Sequence, residues 1–349
     1  MMHNRDLVPM SMSEVAVLAG VSQSTVSRVV NGRSFVNEET RQRVFRAMKR
    51  VGYEAPPPDR RTGRNPKLEL RANSGLLAVL VDPVGMRMHS EFMVKLYSLA
   101  QAEANREGYS TILHFHHAEE GLPTVLDKVD GFLIVGLSAT DPFLKGILSR
   151  PVVCLTSFWQ QGATSILAGN DEVGSLAARY LLERGHRRLA VFLAEAGNPS
   201  FSARGKAFQK AVRSAGAEVT NYGAAVPRKT EARISTVDDL ESRMERLVDR
   251  FVAERPIASG VFCPSDAMTA MAHRLLLRRK IAVGSEVEFV SCDNEISYLA
   301  GLCPRPATID LGIHERAHLA VQHLTSAIRD NRAPGEIRLT VEPKLIHGD

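Results

Sequence analysis

Four polar side chains, Ser24, Ser27, Arg28 and Asn31, fall within eight residues of one another. At about 100° per residue they share one side of a helix, and Val26, Val29 and Val30 take the other. An arginine can donate two parallel hydrogen bonds to a guanine edge, and Ser and Asn both donate and accept, so such a face can read bases in a major groove. It is also what any solvated helix surface presents, so the surrounding elements must decide. Other chemistry is thin. His114 and His116 alternate onto one face of a strand, but two ligands without a third Asp, Cys or His nearby make a weak metal site. No G-x-x-x-x-G-K-[ST], G-x-S-x-G or G-x-G-x-x-G run is present, so phosphoryl, acyl and hydride transfer lack their usual supports. We expect no cofactor, no metal and no enzymatic activity.

The elements around the polar face favour base reading. Ser11-Met12-Ser13-Glu14 forms a capping box that starts a helix carrying Val15, Leu18 and Ala19, and Gly20 suits its left-handed end. Ser22 caps a second helix, Gln23 to Asn31. After the loop Gly32 to Val36, Asn37 caps a third helix whose Val44, Met48 and Val51 face inward. Two capped helices joined by a short turn describe a helix-turn-helix, which lays its second helix in the major groove. Arg41, Arg43, Arg46, Lys49 and Arg50 supply charge for phosphates. Residues 1–71 carry 13 Lys and Arg against 7 Asp and Glu, whereas the rest carries 31 against 32. A basic head on a near-neutral body implies a polyanion-binding module attached to something with a different partner.

At 349 residues the chain exceeds what one core serves. We divide it into a helix-turn-helix head at 1–54, a Pro/Arg-rich linker or atypical hinge at 55–74, and a two-lobed ligand-binding and dimerisation domain at 75–349. With 44% hydrophobic and 24% charged residues it reads as globular. Cys154, Cys263, Cys292 and Cys303 are widely spaced, which excludes a disulfide framework. With no apolar span and no apolar h-region near the N-terminus, the expected location is cytoplasmic, and no membrane partner is expected.

The run Ser13-Glu14-Val15-Ala16-Val17-Leu18-Ala19-Gly20-Val21-Ser22-Gln23-Ser24-Thr25-Val26-Ser27-Arg28-Val29-Val30-Asn31-Gly32, followed by Val36-Asn37-Glu38-Glu39-Thr40-Arg41 and Gly52-Tyr53, closely resembles the DNA-binding head of the lac repressor/GalR family. The resemblance implies that Gln23, Ser24 and Arg28 read base edges; the helical-face argument exposes Ser24 and Arg28 independently. The family continues with a short hinge helix, Pro-Asn-x-x-Ala-Arg-x-Leu, whose Leu wedges into the minor groove. This chain departs from it, with Ala55-Pro56-Pro57-Pro58-Asp59-Arg60-Arg61-Thr62-Gly63-Arg64-Asn65-Pro66-Lys67-Leu68-Glu69-Leu70-Arg71. Three readings stay open: Leu70 as the wedge, Arg64 entering the minor groove as an extended arm, or a basic tether attracted to phosphates alone.

From Gly75 short β-rich runs alternate with helical ones, the mark of parallel sheets in a doubly wound α/β body. Strands are expected at Leu76–Val81, Ser110–Phe115, Gly131–Val135, Val152–Leu155, Leu189–Leu193, Gly260–Cys263 and Val287–Ser291. Helices are expected at Phe92–Arg106, Val173–Arg184, Arg204–Ala215, Leu240–Glu254 and Ala267–Arg278. The resemblance implies a periplasmic-binding-protein-like body of two lobes. Its local matches include Asn170-Asp171-Glu172-Val173-Gly174, Ser202-Ala203-Arg204, Phe262-Cys263-Pro264-Ser265-Asp266 and Val290-Ser291-Cys292-Asp293. It also implies effector-binding roles for Arg204, Ser265 and Asp293. Ser265 stands where the family has Asn, Ala168 where it often has an aromatic, and Leu311 where a polar ligand is common, so the effector need not be a simple hexose.

The expected function is a sequence-specific transcriptional regulator, a repressor, acting as a homodimer on double-stranded operator DNA. A small-molecule, sugar-like effector bound between the lobes would control it. The alternative is a sugar-processing enzyme with an appended DNA-binding head; a periplasmic transport receptor fits neither the head nor the missing signal peptide.

Overall fold

The computed structural model describes residues 12–30, 36–53, 74–81, 90–116, 123–135, 147–148, 150–155, 163–223, 236–330 and 337–349. The chain divides into two compact units, Met1–Glu69 and Leu70–Asp349.

The first unit holds α1 (Met12–Ala19), α2 (Gln23–Val30) and α3 (Glu38–Val51). Its caps are those the residues demand. Gly20 takes φ +61°, and Val21 N–H returns to the Ala16 carbonyl at 3.0 Å to close α1. Thr25 N–H donates to Ser22 Oγ, Thr40 N–H donates to Asn37 Oδ1, and Gly52 at φ +67° ends α3. Val15, Ala16, Ala19, Val26, Val29, Val44 and Ala47 make one small core, rimmed by Met48 and Val51. Leu18 does not belong to it: it is 42% exposed, and Ala16 takes the inward position on α1.

The second unit has two parallel sheets. The first lobe carries β1 (Leu76–Val81), β2 (Ser110–Phe115), β3 (Gly131–Val135), β4 (Val152–Leu155) and β5 (Thr164–Ala168). Its sixth strand, β11 (Arg338–Val341), comes from near the end of the chain and pairs parallel with β5. The order is β11-β5-β4-β3-β1-β2. Central strands β1 and β3 are buried along almost their whole length, as a sheet covered on both faces requires. Helix α4 (Ser90–Arg106) packs on it. The second lobe has β6 (Arg188–Leu193), β7 (Glu218–Gly223), β8 (Gly260–Phe262) and β9 (Glu288–Val290) in the order β7-β6-β8-β9. It also carries helices α5 (Asn170–Glu183), α6 (Pro199–Ser214), α7 (Val237–Ala253), α8 (Asp266–Arg278) and the short α9 (Ile296–Leu299). β10 (Thr308–Asp310) pairs antiparallel with β12 (Lys344–Ile346) and borders β9 through Ser291 and Ala307. Helix α10 (Ile313–Arg329) returns to the first lobe, burying Ala317, Ala320, Val321 and Leu324 in its core.

The chain therefore passes between lobes three times, and the passages touch. A Cβ on Gly169, after β5, would lie 3.2 Å from Pro343 Cδ, and one on Gly312, before α10, would lie 2.5 Å from Val341 Cγ1. Gly312 also sits at φ +63°, where other residues are strained.

The expected strands are all found, and the expected helices begin one to five residues earlier than expected, at Ser90, Asn170, Pro199, Val237 and Asp266. Strands β5, β7, β10, β11 and β12 and helix α10 were not foreseen. Cys154, Cys263 and Cys292 are buried free thiols and Cys303 is exposed. Among the described residues no helix is long and apolar enough to cross a membrane, and no cluster of His, Cys, Asp and Glu could hold a metal.

Candidate DNA-reading face and effector cleft

In the head, the two faces of α2 separate as their spacing predicts. Val26 and Val29 are buried, Gln23 and Arg28 are exposed, and Ser27 is half-buried. The Ser22 side chain accepts from Thr25 N–H and so caps the first turn of α2. The Ser24 side chain lies outside the described residues, as do Asn31, Arg64, Leu70 and the linker that carries them.

In the body, the structure brings Arg204, Ser265 and Asp293 together. Arg204 enters from α6, which crosses α5 closely because Gly174 has no side chain; a Cβ there would sit 2.3 Å from the Arg204 carbonyl oxygen. Arg204 is 4% exposed: its Nε donates to Asn170 Oδ1 at 3.0 Å, and its Nη1 donates to the Pro264 carbonyl at 2.7 Å and to Asp293 Oδ1 at 3.1 Å. Asn170 is the first residue after the passage out of the first lobe, so Arg204 ties the second-lobe strand ends to the crossing. Arg204 and Asp293, the expected charged contacts of an effector, are bonded to one another. Neither is therefore an isolated charge. Ser265 is 1% exposed, and its hydroxyl accepts from Met268 N–H and caps α8.

A buried hydroxyl–carboxyl network holds the Asp293 loop. Asp293 and Asn294 both have positive φ, 108° and 53°, a strained pair that only surrounding bonds can sustain. Asn294 Nδ2 donates to Asp310 Oδ2 at 2.7 Å, and its backbone N–H donates to Thr308 Oγ1. Asp266 then gathers Ser291 Oγ and Thr308 Oγ1 at Oδ1 and Glu295 N–H at Oδ2. Thr269 Oγ1 contacts both Ser291 Oγ and the Ser265 carbonyl. Four oxygen–oxygen contacts thus share three hydroxyl protons, so the network closes fully when Asp266 carries the fourth. Burial, then the charge of Asp293, pushes the Asp266 carboxyl up to about 7, in the same direction.

Two further groups were not foreseen. Arg316, in the first turn of α10, is 3% exposed, and its guanidinium makes no hydrogen bond or ion pair among the described residues. Burial, then the charge of Arg204, lowers its pKa to about 10, with Asp293 opposing, so it stays cationic at neutral pH. Its sequence signal was legible: it interrupts the apolar stripe Ile313, Ala317, Ala320, Val321, Leu324. Glu295 is buried with Oε1 unpaired. Burial, then Asp293 and Asp266, pushes its carboxyl up to about 9, which favours the neutral form at pH 7. Leu311, standing where a polar ligand was considered, packs into the second-lobe core, as does Ala168. His114 and His116 lie 6.3 Å apart between ring centroids at the end of β2.

Residues 11–55 match the family described as bacterial regulatory proteins, lacI family, and residues 178–349 match the periplasmic binding protein-like domain. The chain is 25% identical over 348 residues to the HTH-type transcriptional repressor PurR of Pectobacterium atrosepticum, covering 96% of this chain and 95% of that protein. It is 23% identical over 294 residues to PurR of Pasteurella multocida, covering 81% and 82%. Among solved structures, the transcriptional regulator CelR in complex with cellobiose is 22% identical, with TM-score 0.64, covering 97% of this chain and 99% of that one. The lac repressor dimer bound to operator and the anti-inducer ONPF is 18% identical, with TM-score 0.63 and 98% coverage of both.

Proposed function

Since the chain belongs to the lacI family of bacterial regulatory proteins, it is a DNA-binding transcriptional regulator rather than an enzyme, and we propose that it represses from a pseudo-palindromic operator as a homodimer. Gln23, Ser24, Ser27, Arg28 and Asn31 are the base-reading set, with Arg64 or Leu70 entering the minor groove from the linker. A protein that works on operator DNA acts where that DNA is, in the cytoplasm. The effector is a small polyhydroxylated molecule bound between the lobes, against Arg204 and Asp293.

One observation supports this reading most: the buried Arg204–Asp293 pair is bonded to residues beside the lobe crossings, Arg204 to Asn170 on one side and Asp293 N–H to the Ile309 carbonyl on the other, with Asn294 next to it donating to Asp310. A ligand that rearranges the pair acts on the segments about which the lobes would turn. It can then shift the body between two arrangements in proportion to its differential affinity for them. The test is operator selection from random duplexes with the full chain, followed by titration of the selected site with and without candidate sugars. A specific site whose affinity changes when a cleft ligand binds is expected. Binding no tighter than to scrambled duplex, or turnover of the sugar, would reject the proposal.

A further inference from the structure

We propose that the cleft selects an anionic effector, a hydroxylated ligand bearing a carboxylate or phosphate, held by Arg316 from the first lobe and by Arg204 with Asp293 from the second. The inference rests on the reading of the cleft as the effector site and adds its charge class.

The argument starts from the unequal fates of two buried arginines. Arg204 has three acceptors, one of them a carboxylate. Arg316 is as deeply buried, has an unpaired Nε and no counter-ion among the described residues. A guanidinium cannot shed its charge, so an isolated one in the interior is among the costliest groups a protein can carry. Its position compounds the cost, because the first turn of a helix is the positive end of the backbone dipole and disfavours a cation. Both costs turn into binding energy if an anion completes the site. Arg316 lies in the first turn of α10, directly after the passage where Asp310 accepts from Gly312 N–H and from Asn294, the neighbour of Asp293, and the charges that act on it are those of Arg204 and Asp293 in the second lobe. Asp293 limits what the anion can be: a bare anion would be repelled, whereas a ligand that offers hydroxyls to Asp293 and its charge to Arg316 satisfies both. Such a ligand also links the two lobes, which makes closure depend on its charge. Glu295, neutral through burial, adds no competing charge.

The experiment uses the full chain and its Arg316→Met variant, with inorganic phosphate, gluconate, glucose 6-phosphate and glucose at ionic strength matched with sodium chloride. Unfolding temperature and calorimetric titration are the readouts. The expected result is that at least one anion binds the parent about 10- to 100-fold more tightly than the variant, the range for a lost bond to a charged group, while glucose does not distinguish them. Preference for gluconate or for glucose 6-phosphate identifies the carboxylate or the phosphate. Without anion the variant is expected to be at least as stable as the parent; a less stable variant means Arg316 has a structural partner and overturns the proposal. It also fails if no anion raises the parent's unfolding temperature more than the variant's. A neutral sugar that alone shifts operator affinity sinks the anion claim and leaves the effector reading standing. Cleft-bound anions that leave operator affinity unchanged sink the effector reading instead.

Discussion

Replacing Asp293 by alanine tests the cleft more sharply than any ligand screen, because the structure sets the size of the effect. The substitution removes the one carboxylate bonded to Arg204 among the described residues, 3.1 Å from Nη1, both side chains being nearly inaccessible. Breaking one partner of a buried ion pair costs about 3–5 kcal/mol, mostly the penalty of the charge left behind. Arg204 keeps the Asn170 and Pro264 acceptors, which argues for the lower end. Arg316 loses the nearby negative charge that favours its ionised form, which argues for the upper. With about 2 °C per kcal/mol for a unit of this size, the body transition should fall by roughly 6–10 °C. The double variant Arg204→Met/Asp293→Ala removes both charges, so it should be less destabilised than the sum of the single variants by about 1–3 kcal/mol. Urea unfolding of the four proteins closes the cycle. A coupling energy below about 0.5 kcal/mol would refute the claim that this pair is buried and structural.

In the head, Arg28→Ala should weaken operator binding by about 1–3 kcal/mol and relax the preference at one base pair per half-site; equal weakening on operator and scrambled duplex, read by fluorescence anisotropy, would remove its base-reading role. At the crossing, Gly312→Ala forces a β-carbon into a left-handed conformation and toward Val341, so it should cost about 1–3 kcal/mol and blunt the effector response, while effector-free DNA affinity stays unchanged. Equal urea midpoints would dismiss the close packing of the passages. Glu295→Gln has a pH signature. The carboxyl titrates at 4.5 when unfolded and about 9 when folded, so its contribution is intact below pH 4.5 and is lost as pH rises toward 9. The variant should therefore gain on the parent between those limits, and parallel stability curves at pH 5 and 8.5 would count against the buried placement.

Local chemistry carried much of this architecture in plain view. Ser22, Asn37, Gly20 and Gly52 set helix ends because capping and left-handed turns involve residues a few positions apart, and α2 divided into a valine face and a polar face for the same reason. The central strands were legible because burial on both faces demands continuous apolar runs. β7, with polar Glu218, Thr220 and Asn221, was not, since an edge strand needs one good neighbour and little apolar surface. The site divides in the same way. Arg204, Ser265 and Asp293 were expected from motif resemblance, but that Arg204 and Asp293, 89 positions apart, neutralise one another follows only once β6, β8 and β9 align their ends. Arg316 could be noticed as a charge on an apolar stripe, yet its importance depends on β11 joining the far edge of the first sheet, which draws α10 back across the passages. Short-range geometry is written in residue type and spacing; which distant charges share one dry space depends on strand order, and strand order is settled by the packing of the whole chain.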